Sequence, residues 1–285
     1  IFRGIISAMR PRQWSKNLLI FAGIIFSRNL LNPYLLFQVF LGFMIFSLVS
    51  GTVYLVNDIN DIEQDKQHPR KRHRPLPSGQ ITVKQALMAV IVILLSALTA
   101  AFYINIYFGL VTLIYFLTIG LYTFYLKHLV ILDVLTIAFG FVLRAIAGVV
   151  LVRAHISPWL IICTILLALF LALSKRRHEL TILDDKAGEH RGVLEKYSVS
   201  YLDQMITIVA AGTIVAYSLY TFNSDKSVYL MATIPFVIYG IFRYLYLIHI
   251  QNRGGSPEAI LLEDRPLLLN IVCWGFTSIF ILYFI

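Results

Sequence analysis

Charge is scarce in this sequence: Asp, Glu, Lys and Arg make up 14% of its 285 residues, against about 25% in ordinary soluble domains. Acids are scarcer than bases, 15 against 24, for a net charge of +9. Cysteine is nearly absent. Cys163 and Cys273 both fall in apolar stretches with no partner at metal-ligand spacing, which excludes a disulfide framework and a zinc site. Alternating ten-residue segments are missing as well, which argues against a membrane β-barrel. Residues 1–16 are basic and contain no signal-type apolar region, so they are expected to lie at an interface with Trp14 as a headgroup anchor.

What is abundant is apolar surface. Hydrophobic residues make up 59% of the chain and the mean hydropathy is +0.78. They come in runs of about 20, the length that crosses a hydrocarbon core about 30 Å thick. Nine runs are expected: 17–32, 34–57, 83–103, 106–126, 129–152, 158–175, 201–222, 228–249 and 266–284. In lipid each backbone amide needs an internal partner, so these runs should be helices. The predicted fold is an all-α integral membrane bundle, a single domain over residues 1–285.

The bases are asymmetric. Of 24, 20 fall on one side of the predicted spans, while Arg28, Arg153 and Lys226 fall on the other and Arg144 lies inside a span. The basic side is cytosolic by the positive-inside rule, placing the N-terminus inside and the C-terminus outside. Topology and inner-face anions account for the positive charge without nucleic acid.

Polar chemistry concentrates in two cytosolic connections, about 57–82 and 175–200. The first opens with Asn57, Asp58, Asp61 and Asp65. On a helix continued past the bilayer, Asn57, Asp61 and Asp65 advance about 40° per step and form one stripe, which Asp58 widens. Carboxylates on adjacent turns suit Mg²⁺, which takes its remaining ligands from water and substrate phosphate oxygens. Asn57, Asp61 and Asp65 are the expected metal ligands. A solvated acidic helix end is the competing explanation.

The run Arg70-Lys71-Arg72-His73-Arg74 follows directly. It serves as a topology anchor, as a patch for anionic lipid, or as phosphate ligands, with Arg70 and Arg74 the candidates for the last role. The second connection starts with Lys175, Arg176, Arg177 and Glu179 and continues to Asp184; its cations suit phosphate binding. Lys16, Tyr122 and Lys127 are further candidates at the inner face. Arg144 lies about three turns into the fifth span and is expected either to bind phosphate or to pair with Asp133 or a helix-end carbonyl.

The motif Asn57-Asp58-x-x-Asp61-x-x-x-Asp65 at the inner end of the second span resembles the UbiA superfamily of membrane prenyltransferases, and the likeness covers essentially the whole chain. It implies nine helices, acidic residues binding Mg²⁺ and a substrate diphosphate, and lateral entry of an isoprenoid from the bilayer. At the second connection, Lys175-Arg176-Arg177-x-Glu179-Leu180 replaces the paired-Asp motif common in that superfamily. With Arg10-Pro11-Arg12-Gln13-Trp14-x-Lys16-Asn17 and Leu143-Arg144-x-Ile146-Ala147-Gly148, this is similar to the decaprenyl-phosphate phosphoribosyltransferase branch.

The resemblance implies transfer of 5-phosphoribose from phosphoribosyl diphosphate to a polyprenyl phosphate, in making arabinofuranosyl donors for the cell envelope. It implies an enzyme integral to a bacterial or archaeal plasma membrane with its site facing the cytosol. Its partners are those two substrates and membrane lipid; a homo-oligomer is compatible with the sequence. Three anionic groups in that reaction need more cations than one diphosphate does, in keeping with the basic replacement at 175–177. Two rivals stand beside it. One is transfer of a prenyl group from prenyl diphosphate to an aromatic or lipid acceptor; the other is a membrane transporter, against which the polar residues gather at one face.

Overall fold

The structure is a computed structural model that describes residues 1–67, 71–183, 193–223 and 228–285. Among the described residues there are helices and no strands. The helices are α1 (Phe2–Ala8), α2 (Phe21–Phe26), α3 (Pro33–Asn60), α4 (Ile62–Gln67), α5 (Val83–Ile104) and α6 (Ile106–Phe124). They continue with α7 (Leu132–Leu151), α8 (Pro158–Leu183), α9 (Val199–Phe222), α10 (Ile234–His249), α11 (Pro257–Glu263) and α12 (Arg265–Phe284). A 3₁₀ rod, Pro11–Ile20, joins α1 to α2.

Among the described residues, eight helices are long and apolar enough to cross a membrane, α10 being counted with the 3₁₀ turn Val228–Thr233 before it. The first predicted span, 17–32, is not among them. It is built from the end of the 3₁₀ rod, the six-residue α2 and a turn in which Arg28 adopts φ 60°.

Local chemistry sets where the long helices begin. Asn32 accepts hydrogen bonds from the amides of Tyr34 and Leu35, with Pro33 first in α3. Thr82 and Gln85 form a reciprocal capping box at α5, and Ser198 accepts from Tyr201 at α9. Asn105 alone separates α5 from α6, its side-chain oxygen accepting from the amides of Tyr107 and Phe108. Each cap satisfies amides that have no partner within their helix, a need that is sharpest near lipid.

The chain forms two compact units. One comprises residues 1–124 and 143–155, the other 125–142 and 156–285, so α7 contributes to both. In the first unit, Ile20, Ile24, Phe46, Phe108, Leu143 and Leu151 build the apolar core, and Met9, Leu55, Leu76 and Ile81 build a second one under α1. In the second unit the core comes from α8, α9 and α10, with Phe170, Leu173, Leu202, Ile206 and Leu247.

One close approach requires glycine. A Cβ on Gly148 of α7 would run into the carbonyl oxygen of Ile20, and one on Gly23 would fall 2.5 Å from the carbonyl carbon of Gly148. Small residues let helix backbones meet in this way. Gly148→Ala should therefore lower stability by about 1–3 kcal/mol, the usual cost of overpacking, read as a lower midpoint of thermal aggregation in detergent. An unchanged midpoint would mean that the 3₁₀ rod gives way at no cost.

In the second unit, Arg243 of α10 holds Asp264, the N-cap of α12, through two hydrogen bonds of 3.1 and 2.8 Å. Asp264 also accepts from the Leu267 amide at 3.0 Å. The hydrogen bonds from Arg243 keep its carboxyl below the usual carboxylate range, against the opposing effect of burial.

Candidate active site

The acidic run lies at the C-terminal end of α3. The helix stops at Asn60, and Asp61, at φ −98° and ψ 11°, leads into α4. Backbone bonds still bridge the break, from the Asp61 amide to the Asn57 carbonyl at 2.9 Å and from Asp65 to Asp61 at 2.8 Å.

The predicted single stripe separates into two pairs. Asn57 donates its side-chain amide to Asp61 Oδ2 at 3.0 Å, and Asn60 donates to Asp61 Oδ1 at 2.7 Å. Asp58 and Asp65, seven residues apart and so nearly in line on a helix, instead share Arg74. Its Nη1 donates to Asp58 Oδ1 at 3.2 Å and to Asp65 Oδ2 at 2.6 Å. Arg10 also binds Asp58 Oδ1, and Lys71 lies 3.5 Å from Asp65 Oδ1.

The two carboxylates are buried, with side chains 1% and 2% exposed. Arg10, Arg74 and Lys71 are 27%, 28% and 42% exposed. Positive groups therefore form the solvent side of the cluster and negative groups its interior. Among the described residues Asp58 Oδ2 is buried with no hydrogen-bond partner, an uncommon condition for a buried side-chain oxygen.

That oxygen bears on the metal expected from the sequence. Among the described residues no three acidic, histidine or cysteine side chains are gathered as a ready metal cage. The donor set is nevertheless all oxygen, within nine residues of chain, and includes one buried carboxylate oxygen still to be satisfied. Hard oxygen donors in small number are what Mg²⁺ takes, because it keeps several waters and shares phosphate oxygens. The residues fit Mg²⁺ together with a phosphate ligand.

Deeper in the same unit, Arg144 of α7 is buried. Its Nε donates to Asn17 Oδ1 at 2.8 Å and its Nη2 to Tyr115 OH at 2.8 Å, and its guanidinium lies 4.7 Å from the Tyr115 ring centre. Asn17 in turn donates to Ser47 and Ser50 of α3 at 3.0 and 3.1 Å. The network ties the 3₁₀ rod to α3, α6 and α7. Of the roles expected for Arg144, pairing with Asp133 is corrected: Asp133 is bound by Arg176, and Asn17 and Tyr115 hold the Arg144 guanidinium.

The second unit carries its own charged cluster. Arg176 of α8 is 2% exposed; its Nε donates to Asp133 Oδ2 at 2.9 Å and its Nη1 pairs with Glu179. Tyr197 donates to Asp133 Oδ1 at 2.8 Å while accepting from the Ile131 amide at 2.7 Å. Burial pushes the Tyr197 phenol up, which keeps it a proton donor to that carboxylate. Arg177 is bound by Asp203 and by the Ile248 carbonyl, and His249 approaches the same Asp203 oxygen at 3.1 Å. Lys175 is the exposed member of the run, 4.0 Å from Glu179.

The sequence expected Arg176 and Arg177 to point at phosphate; the structure commits both guanidiniums to carboxylates of their own unit. Lys16 sits half-buried on the 3₁₀ rod beside Asn17, Tyr122 lies in the last turn of α6, and Lys127 sits in the 3₁₀ turn Leu126–His128. Arg70 and Asp184 lie outside the described residues. Arg10, Asn17, Asp133 and Asp203 are contacts that spacing along the chain did not single out as site residues. Arg10 and Asn17 stand in a motif that carried the resemblance, which was the one signal available.

Residues 18–263 match the UbiA prenyltransferase family. The chain is 32% identical over 278 residues to the decaprenyl-phosphate phosphoribosyltransferase of Mycobacterium tuberculosis, covering 95% of this chain and 91% of that protein. It is 32% identical over 298 residues to the protein of the same name from Corynebacterium glutamicum, covering 98% and 87%. Among solved structures, a UbiA homolog from Archaeoglobus fulgidus bound to GPP and Mg²⁺ superposes with a TM-score of 0.75 at 22% identity, covering 97% of this chain and 99% of that one.

Proposed function

Because the chain belongs to the UbiA prenyltransferase family, we propose that it transfers 5-phosphoribose from phosphoribosyl diphosphate to a polyprenyl phosphate, of the decaprenyl phosphate type, and releases diphosphate. It is an integral membrane transferase. The observation that carries the reading is its 32% identity, over 95% of the chain, to decaprenyl-phosphate phosphoribosyltransferase. The cation-covered carboxylate pair at the end of α3 supplies matching chemistry.

We assign the Mg²⁺ site to Asp61, Asp65 and Asn57, joined by the unpartnered oxygen of Asp58. Mg²⁺ bound there would neutralise the diphosphate and make it a better leaving group. Arg74, with Arg70 and Lys71 from the same run, binds phosphate oxygens, the arginines through their forked donors. Lys175 and Lys127 are assigned as further phosphate contacts and Glu179 as a ribose-hydroxyl acceptor.

In the reaction a phosphate oxygen of the lipid forms a bond to ribose C1 as the bond from C1 to diphosphate breaks. The attacking phosphate is already anionic near neutral pH, so no side chain needs to remove a proton. The side chains contribute by positioning and by stabilising charge.

Residues 1–285 make one transferase domain in this reading, with the site on the cytosolic face. The 3₁₀ rod and α2 provide the ninth crossing. At rises of about 2.0 and 1.5 Å per residue, residues 11–26 extend roughly 29 Å, close to the hydrocarbon thickness of about 30 Å.

The test is incubation of purified protein with labelled phosphoribosyl diphosphate, decaprenyl phosphate and Mg²⁺. A labelled lipid and released diphosphate are the expected products. Labelled product from a prenyl diphosphate and an aromatic acceptor alone would replace this reading with prenyl transfer. Substrate flux across liposomes without diphosphate release would replace it with transport.

A further inference from the structure

We infer that Arg10 and Arg74 occupy the acid site in the absence of substrate, and that metal and diphosphate bind by exchanging partners with them: carboxylates pass from guanidinium to metal, and guanidiniums pass from carboxylate to phosphate. The inference rests on the diphosphate reading above and adds to it a positioning role for Arg10 and a coupling between the two ligands.

Three features of the cluster support this. The first is its layering: the Asp58 and Asp65 side chains are 1% and 2% exposed, while Arg10, Arg74 and Lys71 are 27 to 42% exposed. A cation approaching Asp58 or Asp65 meets positive charge before it meets the carboxylate. A phosphate meets what it binds. The second is sharing. Arg10 and Arg74 both take Asp58 Oδ1, and Arg74 also takes Asp65 Oδ2, while Asp58 Oδ2 is left buried without a hydrogen bond. Asp58 and Asp65 are thus each contacted by two of the three cations.

The third feature is the backbone of Arg10. It lies at φ 53° and ψ 66°, the left-handed region that residues with a Cβ rarely adopt, where α1 passes into the 3₁₀ rod. Such conformations persist where surrounding contacts over-determine them. Here the contacts are the ion pair to Asp58 and the Tyr54 ring, whose centre lies 4.8 Å from the guanidinium. The same rod is fastened farther along by Asn17 to Arg144, Ser47 and Ser50. Arg10 is therefore delivered to the acid site from an anchored element.

Exchange makes the two ligands cooperative. Metal frees guanidiniums for phosphate and phosphate frees carboxylates for metal, so each raises the affinity of the other. Coupling of this kind is typically about 5-fold to 150-fold.

The experiment measures Mn²⁺ binding to the purified full chain in detergent by electron paramagnetic resonance, with and without inorganic diphosphate. Wild type should bind Mn²⁺ weakly alone and at least about tenfold more tightly with diphosphate, after allowing for the Mn²⁺ that diphosphate takes up in solution. Arg10→Gln and Arg74→Gln should each tighten binding of Mn²⁺ alone by about fivefold or more and reduce the gain from diphosphate.

Arg12→Gln removes the same charge two residues away from an exposed side chain, so it isolates simple electrostatics and should leave Mn²⁺ binding near wild type. Lys71→Gln, at an exposed position, should move in the same direction as the arginine variants by a smaller factor, and it serves if either of those fails to fold. Equal Mn²⁺ affinity in wild type and all the variants, or a shift in Arg12→Gln as large as in Arg10→Gln, overturns the exchange. Absence of any diphosphate-dependent Mn²⁺ binding in wild type overturns the metal-diphosphate site itself, which separates failure of the one from failure of the other.

Discussion

Asp61→Asn protein will retain its fold and lose phosphoribosyl transfer by roughly a hundredfold or more, since even outer partners of a metal site cost 10-fold to 100-fold when removed. Asp61 is the informative position because the structure brings two side-chain amides onto its carboxylate. Asn57 and Asn60 donate to it at 3.0 and 2.7 Å. An amide in its place loses the negative charge a metal needs while keeping the size of the side chain. Asp65→Asn should be equally inactive for a compound reason: it removes a ligand and also loosens Arg74 and Lys71. Transfer assayed across a Mg²⁺ titration distinguishes the cases. A near-wild-type rate for Asp61→Asn at saturating Mg²⁺ would remove Asp61 from the metal site.

Arg176→Ala should destabilise the protein by about 3–5 kcal/mol, the usual result of removing one partner from a buried ion pair. Asp133 is fully buried, and in this variant it keeps one hydrogen bond from Tyr197 and loses its opposite charge. A low yield and early thermal inactivation are expected, whereas the material that remains folded should show little change in KM for either substrate. Asp133→Asn in the Arg176→Met background, which removes both charges, should recover much of the loss because the desolvation of two ions goes with them. If Arg176→Ala instead folds normally and raises KM for phosphoribosyl diphosphate, the guanidinium is a phosphate ligand, as the basic run in the sequence had suggested. The geometry favours the structural role: a side chain 2% exposed and bound to Asp133 and Glu179 has little freedom to reach a substrate. Through that contact Arg176 orients Glu179, which is itself 27% exposed.

The sequence by itself determined that this is an all-α membrane protein, where its apolar runs lie, and that its charged residues gather at the ends of α3 and α8. These properties are local or additive. Bilayer thickness sets the length of an apolar run, backbone satisfaction in lipid demands a helix, and motif spacing places Asn57, Asp58, Asp61 and Asp65 on neighbouring turns. Among the described residues, eight of the nine predicted spans are helices long enough to cross. Over 17–32 hydropathy marks the apolar run but does not register that it is built from the end of a 3₁₀ rod, a short helix and a turn, because it counts apolar residues and carries no record of backbone geometry.

Only the tertiary structure decided which partners the charged groups take. Arg144 meets Asn17 across 127 residues, Arg10 meets Asp58 across 48, and Arg176 meets Asp133 across 43. A guanidinium selects the carboxylate or amide that burial leaves within about 3 Å of it, and sequence separation carries no record of that distance. For the same reason one acidic stripe on a helical wheel becomes two pairs in space: Asp61 accepts from Asn57 and Asn60, while Asp58 and Asp65 share Arg74.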